Sequence, residues 1–335
     1  MAIQDQVSSK SWTISHGDCV EGLRDLPDDS IDFGIHSPPF ANLYIYSDSD
    51  RDMGNCVDEA EFFAHYKFAI QEMLRVTVPG RVCAVHCKDL PRYANVYGTT
   101  GLIDFPGAII YEFESAGWVF HSRVTIWKCP VIERERTNNN GLLHKTVLRD
   151  RSQVRQGMAD YLIVFRKPPA EGDGLMSRKP ISTKGFDRYI GEIDPRVCKD
   201  HPSKYARKKQ SSADSIDIWQ RYADPVWFDI SQTNVLNNFR DATSEEDVKH
   251  ICPLQLDLIE RAVHIWSDVG DVVLSPFAGI GSEGVGSLRM QRRFVGFELK
   301  REYFDFAVKN LRLEETRQER PALFSMDQLD DIDSN

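Results

Sequence analysis

Short apolar runs alternate along this chain with longer stretches whose apolar residues recur at three and four positions, the pattern of strands followed by covering helices. Residues 12–15 (WTIS) read as a first strand ending at His16-Gly17-Asp18, and CVEGLRDL after them as a helix. IDFGIHS (31–37) is a second strand that runs into Pro38-Pro39. From Asp58 to Val78 the residues Phe62, Phe63, Tyr66, Ala69, Ile70, Met73 and Leu74 share one helical face, with Pro79-Gly80 as the stop signal. Strands are predicted at 81–88, 119–128 and 160–167, with a helix over 106–118. The alternation returns after residue 250: a helix from Pro253 to Ser267, a strand at 271–277, a helix at 281–290, a strand at 293–299 and a helix from Arg301 to Leu311. These elements predict an α/β fold with a mostly parallel, Rossmann-like sheet and helices on both faces.

Two polar stretches interrupt the pattern. Glu133 to Arg155 holds six basic residues (Arg134, Arg136, Lys145, Arg149, Arg151, Arg155) against three acidic ones, as either a phosphate-facing loop or a solvated connection. From Lys167-Pro168-Pro169 to about His250 the chain turns polar and glycine-rich, a candidate second unit. Within it Arg196 to Lys209 sets six basic residues against Asp200, with Tyr205 among them, and such interleaving suits a nucleic-acid backbone. Residues 312–335 read as a flexible acidic tail with seven acidic and three basic side chains.

At 335 residues, 41% hydrophobic and 27% charged, the chain is long enough to bury a core without disulfides or metals. Its net charge of −10 excludes a histone-like binder, so a nucleic-acid partner must be met by local basic patches. No run of 18 apolar residues predicts a membrane span, and MAIQDQVSSKSW has no signal-peptide core, so a cytoplasmic location, in a prokaryotic or phage-infected cell, is expected. The seven cysteines are odd in number and form no C-x-x-C pair, which fits a reducing compartment. Cys83, His86 and Cys87 match no common zinc spacing; RVCAVHCKD reads as a buried strand and no metal site is expected.

Chemistry concentrates in two segments. Ser275-Pro276-Phe277-Ala278-Gly279-Ile280-Gly281-Ser282-Glu283-Gly284 follows a strand and opens a helix. Glycines there allow a tight turn and close approach of a ligand, and helix N-terminal amides favour negative charge. Glu298, at the end of the next strand, can accept hydrogen bonds from both hydroxyls of a ribose, so the pair describes a crevice for an adenosine-containing ligand. The second segment, Ser37-Pro38-Pro39-Phe40, puts two prolines where a strand must stop, giving a rigid turn with outward carbonyls. Ser37 Oγ and the Pro38 carbonyl can accept both N–H bonds of an amine on an aromatic base, and Phe40 offers a face on which a flipped base can stack. Taken singly, the turn also reads as the end of a strand beside a core phenylalanine, and Glu298 as a surface carboxylate.

Together these segments resemble the amino-methylating DNA methyltransferases, the S-adenosylmethionine-dependent N4-cytosine and N6-adenine enzymes. The family's (S/N/D)-P-P-(Y/F/W) tetrapeptide matches Ser37 to Phe40 and its Phe-x-Gly-x-Gly loop matches Phe277 to Gly281. KHICPLQLDLIERAV looks like the helix before that loop, and HGDCVEGLRDLPDDSIDF like the entry to the catalytic strand, with Asp18 near the cofactor adenine. The resemblance implies a circularly permuted methyltransferase fold of the β group, its catalytic and cofactor-binding domain at 11–168 and 247–311 and an inserted target-recognition region at 169–246. It implies Ser37, Pro38, Pro39 and Phe40 as catalytic residues, and Asp18, Phe277, Ala278, Gly279, Gly281, Ser282 and Glu298 as the cofactor site. Double-stranded DNA is the implied partner, met by Arg134, Arg136, Lys145, Lys204, Arg207, Lys208 and Lys209, and a dimer is compatible with the sequence.

Many relatives carry Asp at the place of Ser275 and threonine at that of Glu283, so the hold on the cofactor's methionyl ammonium must differ here. The implied reaction is direct transfer of methyl to an exocyclic nitrogen, with no covalent enzyme intermediate. Cys129-Pro130 has the reverse order of the Pro-Cys expected for C5-cytosine methylation and reads as structural. Ser37 is a poor proton acceptor at neutral pH, so hydrogen bonding is its expected role. Serine at the first tetrapeptide position is commoner among N4-cytosine enzymes, which favours cytosine over adenine. The alternatives are an amino-methyltransferase acting on RNA or protein, a dinucleotide-binding oxidoreductase, which would not need Ser-Pro-Pro-Phe, and a DNA-binding module with a decayed site.

Overall fold

The computed structural model describes residues 3–39, 52–56, 58–137, 142–182, 184–192, 213–236 and 253–319. Within these, nine strands join in one sheet. They are β1 (Asp5–Ser8), β2 (Trp12–His16), β3 (Ile31–His36), β4 (Thr77–Lys88), β7 (Val119–Ile126), β8 (Asp160–Arg166), β9 (Val226–Trp227), β10 (Val272–Ser275) and β11 (Arg293–Glu298). Their order across the sheet is β1-β2-β11-β10-β3-β4-β8-β7-β9. A separate hairpin, β5 (Leu90–Arg92) with β6 (Gly101–Ile103), follows β4.

The helices are α1 (Cys19–Arg24), α2 (Glu59–Val76), α3 (Ala94–Tyr97), α4 (Phe105–Ser115), α5 (Pro130–Thr137), α6 (His144–Arg149), α7 (Ala213–Tyr222), α8 (Leu256–Trp266), α9 (Ser282–Arg289) and α10 (Arg301–Glu319). Alternation along the strands divides the core. Phe33, Ile35, Val82, Ala84, Leu162 and Val164 face the side covered by α8, α9 and α10, while Cys83, Val85, Ile163 and Phe165 face α2 and α4. The chain thus leaves β10 for α9 on one face and leaves β3 for α2 on the other. Neighbouring parallel strands with opposite exits open a crevice at their C-terminal ends.

Direction decides what meets there. β2, β11, β10, β3 and β4 run parallel, so His16, Glu298, Ser275, His36 and Lys88 end at one edge. β8 is antiparallel to β4, which brings its first residue, Asp160, to that edge, and β7 is antiparallel to β8, which brings its last residue there too.

Several elements differ from the sequence expectation. Pro79-Gly80 ends α2 at Val76 but lies inside β4, where the pairing with β3 slips between Ile31 and Phe33. Gly80, at φ 79°, turns its N–H to the Lys167 carbonyl, and the missing Pro79 donor falls at the irregularity, where it breaks no regular ladder. β1 and β9 are too short for a periodicity signal. The expected tail is helical through Glu319: Glu314 is buried against Arg289, and Glu315 accepts from Ser9 Oγ and Trp12 Nε1. Nor do the described parts of 169–246 stand apart. They supply β9, and Ile190, Ile218, Tyr222, Trp227 and Ile230 enter the core beneath α8. Fully buried Arg261 of α8 donates to both Asp229 oxygens at 2.9 and 2.7 Å and lies over the rings of Trp227, Tyr222 and Tyr189, clamping this segment in place.

Candidate active site

The glycine loop sits at the end of β10, and backbone geometry explains its composition. Gly281, the residue before α9, has φ 89°, and a Cβ there would approach the Ala307 backbone at 3.1 Å. Gly279 has φ 50° with open space where a side chain would stand. Ala278 N–H donates to the Phe297 carbonyl at 2.8 Å, which ties the loop to β11. Ala278 and Ser282 are buried and Phe277 half-buried.

Glu298 closes the loop from the neighbouring strand. One carboxylate oxygen accepts Gly279 N–H at 2.8 Å, the other Lys300 N–H at 2.8 Å. Not all of its about four acceptor positions are taken by these amides, which leaves capacity for a ligand. Burial pushes its carboxyl up to about 7, against the pull of those amides, and Asp52 adds to the rise. Glu283, buried in the first turn of α9, is pushed up to about 8 by burial, with the Glu298 charge adding to it. No cationic side chain of the described residues pairs with either carboxyl. Ser275 is fully buried, and its Oγ has no hydrogen-bond partner. Asp18 lies at the end of β2, beside Glu298, where its carboxylate caps α1 by accepting Val20 and Glu21 N–H at 2.8 and 3.1 Å.

These residues fit S-adenosylmethionine. Open space over Gly279, free acceptor capacity on Glu298, the orphaned Ser275 hydroxyl and unpaired buried acids suit a ligand with hydroxyls and net positive charge.

The second motif stands one strand away. His36, fully buried, pairs Nε2 with Tyr66 Oη at 2.6 Å, and burial lowers it to about 3, so the ring is neutral. Phe277 of the loop packs against both rings, with centroids 5.8 Å from His36 and 5.9 Å from Tyr66, so the two motifs share an aromatic seam. Ser37, Pro38 and Pro39 follow His36 at the crevice. Phe40 lies outside the described residues, as do Lys204, Arg207, Lys208 and Lys209 with their basic run, and the Arg136 side chain.

Beside Ser37 stands a polar set that the sequence reading did not pick out. Ile35 pairs with Ala84 and His36 with Val85, so the next step of the register sets Ser37 beside His86. His86 Nδ1 is 3.3 Å from Ser37 Oγ, and Nε2 is 3.1 Å from Asp160 Oδ2. Lys128 Nζ is 2.7 Å from the same oxygen, and all three side chains beyond Ser37 are largely buried. Burial opposes ionisation of Asp160, yet the His86 hydrogen bond and the Lys128 charge hold its carboxyl well below the usual range. The available signal was a polar residue on an apolar face: His86 follows Val82 and Ala84, and Asp160 precedes Leu162 and Val164, at period two.

The excursion between β7 and β8 rises from this same edge. Arg134 on α5 and Lys145 on α6 are exposed, while buried Glu133 pairs with Lys88 at 3.3 Å and anchors α5 beside the end of β4. Among the described residues no His, Cys, Asp and Glu cluster could hold a metal, and no helix is long and apolar enough to cross a membrane.

The sequence model of the DNA methylase family, the N6 and N4 methyltransferases, matches residues 31–309. The chain belongs to this family, whose enzymes carry methyl from S-adenosylmethionine to amino groups of DNA. It is 26% identical over 299 residues to the type II methyltransferase M.BglII of Bacillus subtilis, covering 89% of this chain and 68% of that protein. It is 40% identical over 148 residues to M2.DpnII of Streptococcus pneumoniae, covering 40% of this chain and 54% of that one. Two solved structures share the fold at a TM-score of 0.58. TTHA0409 of Thermus thermophilus, solved with S-adenosyl-L-methionine, is 21% identical and covers 89% of this chain and 92% of its own. The cytosine-N4-specific PvuII DNA methyltransferase is 14% identical, with coverage of 98% and 94%.

Proposed function

We propose that this methyltransferase acts on double-stranded DNA, on the N4 amine of a flipped cytosine in preference to the N6 amine of adenine. The observation that carries the reading is the adjacency of β3 and β10, with Ser37 and the glycine loop at neighbouring strand ends joined through His36, Phe277 and Tyr66. Bound S-adenosylmethionine supplies an electrophilic methyl group. Glu298 accepts from the ribose hydroxyls, Phe277, Ala278, Gly279, Gly281 and Ser282 form the cradle, and Asp18 flanks the adenine. Ser37 Oγ and the Pro38 carbonyl accept the amine N–H groups, which draws the nitrogen lone pair out of the ring plane, while Pro39 keeps the turn rigid and Phe40 stacks on the base. Serine at this position of the tetrapeptide, commoner among the family's N4-cytosine enzymes, favours cytosine.

Arg134, Arg136 and Lys145, on the excursion above the crevice, meet phosphates, and residues 169–246 with Lys204, Arg207, Lys208 and Lys209 take part in target recognition. The bacterial relatives named as type II methyltransferases support a role in restriction-modification and a cytoplasmic location. Methylome sequencing of DNA from cells expressing the chain tests the reading. N4-methylcytosine at a defined sequence is expected; N6-methyladenine would reverse the choice of base, and unmodified DNA beside methylated RNA would move the substrate class.

A further inference from the structure

The geometry points to His86 as a positioning residue that turns the Ser37 hydroxyl toward the target amine and takes up, through that hydroxyl, the proton lost on methylation. The inference rests on the reading of Ser37 as the acceptor of the amine. Its basis is the chain of contacts from Ser37 Oγ to His86 Nδ1 at 3.3 Å, His86 Nε2 to Asp160 Oδ2 at 3.1 Å and Lys128 Nζ to the same oxygen at 2.7 Å.

The order of the chain fixes the proton positions. Asp160, paired with Lys128 at 2.7 Å, is held ionised, so it can only accept, and Nε2 must carry the hydrogen that points at it. The other tautomer would set two acceptors 3.1 Å apart. Nδ1 therefore offers its lone pair to Ser37, whose single O–H points inward as donor. Both lone pairs of Oγ are then left for a substrate N–H, and a serine that could equally donate becomes an acceptor. Lys128 balances the Asp160 charge, so the carboxylate orients the ring without leaving net negative charge in the pocket. Charged groups at this edge include Asp160 on β8, Lys128 after β7, and Lys88 on β4 with its partner Glu133 on α5.

The proton count closes. An amine that gains a methyl group becomes cationic and carries one hydrogen more than the neutral product. One N–H bond breaks as that proton passes to Ser37 Oγ, and the serine O–H bond breaks as its proton passes to His86 Nδ1. Serine is restored, and the imidazolium lies between Ser37 and Asp160 until water takes the proton after product leaves. Serine alone would be a poor base; backed by imidazole it is a relay.

Nitrogen-15 NMR of the imidazole in cofactor-free protein gives a test independent of turnover, with the Nε2–H tautomer expected for His86, and a shift toward Nδ1–H in Asp160→Asn. Single-turnover methylation completes it. His86→Gln should lose about 100-fold in rate, with cofactor and DNA affinity within about twofold. An Nδ1–H tautomer in the wild type, or a His86→Gln enzyme that keeps its rate, overturns the relay. If the wild type methylates no DNA, the functional reading fails instead, and the NMR result still judges the geometry.

Discussion

The two halves of the crevice are built in opposite ways. Apart from Asp18 after β2, the cofactor half lies within one stretch of chain, from β10 through the glycine loop and α9 to Glu298, and its bonds join β11 to the loop: Gly279 to Glu298, Ala278 to Phe297. The amine half draws Ser37, His86, Lys128 and Asp160 from β3, β4, the end of β7 and the start of β8. A local site can be written as a motif, since one turn supplies the geometry. A distributed site exists only after the strands pair, and its groups become neighbours through register and through the reversal of β8.

If the halves are separate devices, they should fail separately. The largest effect is expected at Ser37. Ser37→Ala removes the proposed amine acceptor, the hydroxyl beside His86, and should lower single-turnover methyl transfer by about 100-fold or more, with S-adenosylmethionine affinity unchanged by calorimetric titration. Loss of cofactor affinity to the same degree would mean that the two halves are one cooperative unit, coupled through the seam of His36, Phe277 and Tyr66.

The same contrast explains what could be read from the sequence. The β3, β4, β10 and β11 strands, the α2, α8 and α9 helices, and the Ser37 and glycine-loop motifs were all legible, because each shows its own periodicity or punctuation over a few residues. His86 was legible only as part of a buried strand, since nothing in RVCAVHCKD says that its register neighbour is Ser37. Asp160 looked like the polar start of a strand until antiparallel pairing brought it to the crevice. In the polar middle of the chain β9 spans two residues, too few for alternation, and Arg261, of a residue type rarely found in a core, organises that packing.

Glu298 carries the second effect. Glu298→Ala should weaken S-adenosylmethionine binding by about 1.5 to 3 kcal/mol, the range for hydrogen bonds to a charged group, and should spare the chemistry of cofactor already bound. Binding should also be linked to protons. Glu298 and Glu283 are raised from 4.5 to about 7 and about 8, chiefly by burial, so as pH rises between those limits the unfolded chain gives up protons that the fold keeps. Stability of the cofactor-free protein should therefore fall through that window, fully retaining this contribution only below it. A ligand of net positive charge favours the ionised carboxyls, so its binding should release protons near neutral pH and tighten as pH rises toward 8. Titration in buffers of different ionisation enthalpy measures the release, and uptake of protons would contradict the charge pairing.

A smaller effect separates fold from ligand inside the cofactor half. Gly281→Ala places a side chain at φ 89° within 3.1 Å of the Ala307 backbone, whereas Gly279→Ala meets nothing within 4 Å. The first should lower stability by about 1 to 2 kcal/mol, seen as a lower Tm, and the second by less. Gly279→Ala should instead weaken cofactor binding, because its methyl group would occupy space above the loop. Equal losses of Tm would place Gly279, like Gly281, in service of the backbone turn alone.

The smallest effect belongs to the rim of the amine half. α5 and α6 lie in the chain between β7 and β8, with Arg134 and Lys145 exposed and Glu133 of α5 fixed to Lys88. An exposed cation that touches a phosphate releases condensed counterions on binding, and its removal flattens the salt dependence by about one unit per contact, equally for every DNA sequence. Arg134→Ala with Lys145→Ala should thus reduce the slope of log affinity against log salt by up to about 2, leave the choice of target sequence unchanged, and leave cofactor affinity alone. Fluorescence anisotropy with a specific and a scrambled duplex, at several salt concentrations, reads both quantities. A loss confined to the specific duplex would make α5 and α6 readers of bases, and an unaltered slope would return them to solvent and leave the masking of the DNA charge to the basic run from Arg196 to Lys209.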